Sequence, residues 1–288
     1  MASELARRVG FAAVAIPLVL LLVWYGGLPL AALIATAAAL GAAELFGLAE
    51  RGGTRPARGL GVATAAAIPV VAYLALVLPS VSTVVEEAGL YAAALWLLLL
   101  LTWALVARAP TERPLSAAAV TLLGVAYAGA LPASLLLIRH GTLPARSWAG
   151  LWLVCFPLVV TWVCDTAAMF GGRTFGGPKL APVVSPGKTR SGALAGVVGA
   201  LAVVPLFTAW LFPRSGVALD LGRGIAIAAV LSVVGQVGDL AESLFKREAG
   251  VKDSSRLLPG HGGILDRLDS LYFVMPTTAA MYRFFGVI

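Results

Sequence analysis

The chain has 288 residues, 60% hydrophobic and only 12% charged, with a net charge of +7 and a mean hydropathy of +0.93. Apolar runs of eighteen residues or more recur from end to end, and a helix needs about 20 residues to cross the hydrocarbon of a bilayer. A soluble core is excluded, and the positive charge is no nucleic-acid footprint, because basic loops beside a membrane report topology.

In chain order the pattern predicts an all-α fold, a polytopic integral membrane helix bundle of about nine transmembrane helices. The spans fall roughly at residues 9–25, 28–48, 59–78, 90–106, 117–138, 149–170, 192–212, 224–245 and 271–287. Arg7-Arg8 before the first run suggests a secretory signal, but no small-residue cleavage site follows, so the run reads as a retained first helix. Pro17, Pro69, Pro132, Pro157, Pro205 and Pro276 lie inside spans and predict kinks that neighbouring helices accommodate. Cys155 and Cys164 share one span, about 13 Å apart at 1.5 Å per residue, too far for a disulfide. No repeat or long linker divides the chain. Residues 1–288 form one membrane domain, with amino-terminal spans in 1–148 and the catalytic spans and loops in 149–288.

Placing the amino terminus in the cytoplasm puts sixteen of the 21 Lys and Arg inside, leaving Arg139, Arg146, Arg214, Arg223 and Arg283 outside with Glu86-Glu87. This is the asymmetry of the positive-inside rule, and Trp24, Trp148, Trp152 and Trp210 near the outer ends suit an aromatic belt.

Four carboxylates then fall within apolar spans near their cytoplasmic ends: Glu44, Asp165, Asp239 and Glu242. Each costs up to about 3 kcal/mol on insertion scales, so such groups normally face a polar cavity and mark function. Glu44, alone in its span, reads equally as a functional group or as one that holds the bundle together. Ser232, Gln236, Asp239, Ser243 and Lys246 follow helical steps of three or four with Glu242 beside them, a polar stripe that must line a cavity. Beyond the following loop, Asp266 and Asp269 can face the same cavity. Hard oxygen ligands such as Asp239 and Asp266, with room for water and phosphate oxygens, suit Mg²⁺. A single histidine, His261, makes zinc a poor fit; it either orients the loop around Gly262-Gly263 or touches substrate.

The segment Ser243 to Asp269 carries five basic side chains, Lys246, Arg247, Lys252, Arg256 and Arg267, which equips it to handle phosphates. A second polar loop, residues 171–192, adds Arg173, Lys179, Lys188 and Arg190 with glycines that let the backbone approach a ligand. Its Gly187-Lys188-Thr189 is no P-loop, because Pro182 stands where that motif needs glycine and a membrane helix precedes it. Basic residues here also suit anchoring to anionic headgroups.

With these residues in place, Ser243–Asp269 resembles the signature of the phosphatidate cytidylyltransferase (CDP-diacylglycerol synthase) family. The matching positions are Ser243, Lys246-Arg247, Lys252-Asp253, His261-Gly262-Gly263, Asp266-Arg267 and Asp269. The resemblance extends to Gly238-Asp239, to Asp165 with the Gly-Gly-Arg that follows, and to Ser185-Pro186 with Lys188. It covers the carboxyl-terminal half closely and the first five spans in general character. Around Ser185, where the family often has a second lysine and an acidic residue, this chain has Gly187 and Ser191.

The resemblance implies condensation of CTP with phosphatidic acid to CDP-diacylglycerol and pyrophosphate in phospholipid biosynthesis, at the cytoplasmic face of the cell's inner membrane. Asp239 and Asp266 would hold the metal, one Mg²⁺ or a pair, with Asp269 nearby; these three and Lys246 would be the catalytic set. Lys246, Lys252 and Arg267 would hold phosphates, Ser243 and Ser185 would hydrogen-bond them, and Lys188 would meet the nucleotide or the lipid headgroup. Asp165, Glu242, Arg247, Asp253 and His261 would complete the substrate site. No nucleic-acid partner is implied. The competing readings are CTP-dependent activation of another lipid phosphate and, from another class, a transporter; transport sites sit near the midplane between repeated halves, and no repeat is visible. Gly192 and Gly196 form a small-xxx-small pair that packs helices within the chain or across a homodimer.

Overall fold

The computed structural model describes residues 2–141, 143–144, 146–257 and 262–288. Every expected span coincides with a helix: α1 (Ala2–Tyr25), α2 (Gly27–Arg51), α3 (Arg58–Val77), α4 (Pro79–Ala107), α5 (Pro114–Gly124) running into α6 (Leu131–His140), α7 (Trp148–Phe175), α8 (Arg190–Leu206) running into α9 (Phe212–Ser215), α10 (Leu221–Glu248) and α12 (Leu271–Phe284). Among the described residues seven of these segments are long and apolar enough to cross a membrane, and Ala13–Tyr25 is a shorter apolar helix. The last helix is also short, with 14 residues. The protein is a multi-pass membrane helix bundle.

Two helix junctions carry a specific device next to a proline. The α5–α6 junction is a π-helical stretch, Val125–Ala130, and the α8–α9 junction another, Phe207–Leu211. Each ends two residues before a proline, Pro132 or Pro213. Proline offers no N–H and its ring crowds the carbonyl four residues back, so the preceding turn widens and the helix continues.

The core centres on α7, where Phe156 packs against Phe207 and Phe212 at ring-centroid distances of 5.1 and 5.6 Å. The pair Gly192/Gly196 is used within the chain: a Cβ at Gly192 would sit 2.6 Å from the Ala168 carbonyl oxygen, and one at Gly196 3.0 Å from that of Cys164. These glycines let α8 lie directly on α7. By contrast only 11% of the apolar window of α4 is covered by protein, so this helix turns almost its whole surface to lipid.

Two details differ from the sequence reading. Arg139 is a fully buried cap, donating to the carbonyls of Val23 (2.5 Å), Trp24 (2.7 Å) and Pro144 (3.2 Å), and so satisfies the last turn of α1. The loop after α7 folds into a two-stranded antiparallel hairpin, β1 (Lys179–Ala181) and β2 (Ser185–Thr189), pairing Lys179 with Thr189 and Ala181 with Ser185. Thr189 ends the hairpin and caps α8, its Oγ1 accepting from the Gly192 N–H at 3.1 Å.

Candidate active site

The polar stripe of α10 exists as the spacing requires. Ser232 is buried, Gln236 donates to the Ser232 carbonyl at 3.0 Å and to the Ala193 carbonyl of α8 at 3.4 Å, and Asp239, Glu242, Ser243 and Lys246 follow toward the helix end. Two ion-paired groups grow from this stripe.

The first is buried. Lys246 Nζ lies 3.0 Å from Glu242 Oε2 and 2.7 Å from Asp266 Oδ1, the latter on the short helix α11 (Leu265–Leu268) beyond the loop. The three side chains are 10%, 1% and 7% exposed, so the ammonium is shared between two carboxylates with almost no water. Asp266 Oδ2 accepts from the N–H and hydroxyl of Ser254 (2.9 and 2.8 Å) and from the Gly263 N–H (2.8 Å). Burial works to raise the Asp266 carboxyl, but those donors and the Lys246 ammonium outweigh it and hold the group below the usual carboxylate range.

The second group is more open. Lys188 Nζ of β2 reaches Asp239 Oδ2 at 2.6 Å, with side chains 27% and 28% exposed, and the Ser243 hydroxyl donates to Asp239 Oδ1 at 3.3 Å. Asp269 is close by, because Gly238 lets α10 approach the chain there: a Cβ at Gly238 would sit 2.9 Å from the Asp269 carbonyl oxygen. Burial, then the charge of Asp239, pushes the Asp269 carboxyl up to about 6, against the opposing effect of its hydrogen bond from the Ser270 N–H. Asp165 is exposed on α7 and within electrostatic reach of Asp269, Asp239 and Lys188.

The structure therefore brings Asp165, Lys188, Asp239, Glu242, Ser243, Lys246, Asp266 and Asp269 together. Ser185, at the start of β2, is half-buried in the same hairpin as Lys188. Arg247 ties the end of α10 to the hairpin turn, donating to the Val184 carbonyl at 3.2 Å. Lys252, Asp253 and Arg267 are exposed, and no hydrogen bond among the described residues joins their side chains to the cluster. His261 lies outside the described residues.

Two participants escaped the sequence reading, Ser254 and Ser255. Lys188 was named there, but its pairing with a carboxylate is an arrangement that the spacing of two separate segments could not show. Ser254 and Ser255 are ordinary loop serines in sequence, yet Ser254 touches Asp266 and both touch Glu44. Glu44, left open between two readings, binds the loop that carries Asp266; its isolation in an apolar span was the signal.

Among the described residues no group of three His, Cys, Asp or Glu side chains is arranged to hold a metal. The donors that converge are all hard carboxylate oxygens, and Asp239 already has a cation, the Lys188 ammonium, against one oxygen. That set fits a divalent ion bound through one or two carboxylates, whose other ligands are water and phosphate oxygens, the usual habit of Mg²⁺.

A phosphatidate cytidylyltransferase from Brucella melitensis is 47% identical over 166 residues, 57% of this chain and 56% of the relative. Its namesake from Staphylococcus saprophyticus is 45% identical over 159 residues, 55% of this chain and 56% of the relative. That from Haemophilus influenzae is 44% identical over 137 residues, 47% of each. The chain aligns with about half the length of the curated relatives it matches. Residues 6–285 match the model of the cytidylyltransferase family, so nearly the whole bundle is accounted for, and the chain belongs to that family.

Proposed function

We propose that this protein transfers the cytidylyl group of CTP to phosphatidic acid, forming CDP-diacylglycerol and pyrophosphate. The observation that carries the reading is the paired arrangement at one end of α10, Lys188 on Asp239 and Lys246 on Asp266 and Glu242, inside a family of cytidylyltransferases. The names of the relatives supply the acceptor.

In the reaction a phosphate oxygen of the lipid forms a bond to the α-phosphorus of CTP. The bond from that phosphorus to its bridging oxygen breaks, and pyrophosphate leaves with the electron pair. A phosphomonoester has its second pKa near 6, so the nucleophile is largely ionised at pH 7 without a strong base. The demand on the protein is to bring two polyanions together. Lys188 supplies positive charge to phosphates, with Lys252 and Arg267 at the rim, Ser185 and Ser243 supply hydroxyl donors, and Lys246, buried between Glu242 and Asp266, holds those two carboxylates in place. Asp239 and Asp269 are the carboxylates best placed to hold Mg²⁺, because Asp266 is buried and held by four donors, while Asp239 is more open and has only Lys188 and a long bond from Ser243. Bound magnesium supplies neutralisation of the triphosphate charge. We place the site on the cytoplasmic side of the plasma membrane; the excess of Lys and Arg over the far side supports that orientation.

The test is pyrophosphate release by the purified protein in detergent with CTP, phosphatidic acid and Mg²⁺, omitting each in turn, beside the Asp239→Asn variant. Release that requires all three and fails in folded variant is expected. Release without the lipid, or wild-type turnover in the variant, overturns the proposal.

A further inference from the structure

Glu44 is a buried carboxylate on α2, 9% exposed, and its neighbours on that helix, Ala42, Leu45 and Phe46, are core residues. Both of its oxygens are fully engaged. Oε1 accepts from the Ser255 hydroxyl at 2.7 Å and the Ile264 N–H at 3.0 Å; Oε2 accepts from the Ser254 hydroxyl at 3.0 Å and the Leu265 N–H at 2.9 Å. Among the described residues no ammonium or guanidinium is within ion-pair distance of it.

All four donors belong to one loop, and they lie at its two ends. Residues 254 and 255 follow α10, residues 264 and 265 open α11, and Asp266 comes next. A carboxylate that only held the bundle together would bond to another membrane helix; this one closes a loop onto the bundle. The link continues to Asp266. Ser254 Oγ lies 3.0 Å from Glu44 and 2.8 Å from Asp266 Oδ2, and its single proton serves one carboxylate at a time. Gly263, whose N–H also reaches Asp266, has no room for a side chain, because a Cβ there would collide with Ser254 and Glu44.

We propose that Glu44 is a positioning residue for Asp266, acting from the amino-terminal half of the chain through Ser254 and the backbone of residues 263–265. It rests on the nucleotidyl-transfer reading for its effect on turnover, and on geometry alone for the latch. Glu44 itself touches no substrate. It fixes the carboxylate that in turn holds Lys246.

The Glu44→Gln variant keeps the length and shape of the side chain but turns one acceptor oxygen into an N–H donor that faces an N–H and a hydroxyl. Each oxygen holds one donor from each end of the loop, so both ends lose a contact. The expected result is a fall in kcat for pyrophosphate release of about 10–100-fold per folded molecule, with the KM for CTP little changed. Cleavage by trypsin after Arg256, which is exposed in this loop, becomes faster at the same time. Ser255→Ala, which removes one donor of four and leaves Glu44 in place, gives a smaller change in the same direction and guards against a variant that fails to fold. Wild-type kcat in Glu44→Gln, or a lower yield of folded protein with unchanged kcat, overturns the proposal. Should the wild type release no pyrophosphate at all, the assigned reaction fails, and the trypsin rate still decides the latch: faster cleavage in Glu44→Gln supports it and an unchanged rate overturns it.

Discussion

Lys246 donates to Asp266 at 2.7 Å across the loop that separates α10 from α11, and to Glu242 at 3.0 Å on its own helix. One ammonium thus fixes two carboxylates, and Glu242 Oε1 is buried with no hydrogen-bond partner among the described residues. The buried half of the site depends on this one cation.

Removing it leaves two buried carboxyl groups without their shared partner. Breaking a buried ion pair from one side costs about 3–5 kcal/mol, most of it from the uncompensated partner. Lys246→Met is therefore expected to lose that much stability, read as a lower thermal midpoint in detergent. Adding Glu242→Gln removes one of the stranded carboxyl groups, so the double variant recovers part of the loss. A double variant less stable than Lys246→Met contradicts the shared-ammonium arrangement.

Asp269 makes the pH dependence specific. Its carboxyl is pushed up to about 6 by burial and the Asp239 charge, above the ordinary 3.8. A raised folded-state value means its contribution to stability is complete below about pH 4 and is lost as pH rises through 6. Asp269→Asn is thus expected to raise the thermal midpoint of the substrate-free protein at pH 8 and much less at pH 4.5, while turnover falls. In the wild type the ionised form, which a cation needs, predominates above pH 6. Pyrophosphate release therefore drops on the acid side near pH 6, and more Mg²⁺ moves that limb to lower pH by competing with the proton. A limb insensitive to Mg²⁺ removes Asp269 from the cation site.

Much of this was legible in the sequence because membrane burial makes charge conspicuous. Asp239, Glu242 and Lys246 sit at helical steps within an apolar run, and the lipid leaves such a stripe nowhere to face but a cavity. Helix positions were legible for the same reason, with span after span coinciding with a helix. The hairpin Lys179–Thr189 was hidden, since Pro182, Pro186 and Gly187 read as loop residues and only three- and five-residue strands form. The partners of Asp266 were hidden too. Ser254 and Gly263 gain their roles from tertiary closure against Glu44, more than 200 residues away, and no local periodicity encodes that contact. Arg139 read as a topology marker because its carbonyl partners are backbone groups of another helix.

The closeness of α10 to Asp269 depends on one missing side chain. A Cβ at Gly238 would meet the Asp269 carbonyl oxygen at 2.9 Å and the Phe273 ring at 3.0 Å. The first of these is backbone held by the Asp269–Ser270 turn at the start of α12, so it cannot swing aside as a flexible side-chain tip would. Gly238→Ala is therefore expected to behave as an overpacked core, costing about 1–3 kcal/mol, even though alanine is the better helix former by about 1 kcal/mol. The displacement also separates Asp239 from Asp269, which weakens their repulsion and lowers the Asp269 carboxyl. In Gly238→Ala the acid limb of pyrophosphate release thus moves below that of the wild type at equal Mg²⁺ while the maximal rate falls. A variant as stable and active as the wild type, with the same limb, shows that α10 and the Asp269 turn are not in the close contact described.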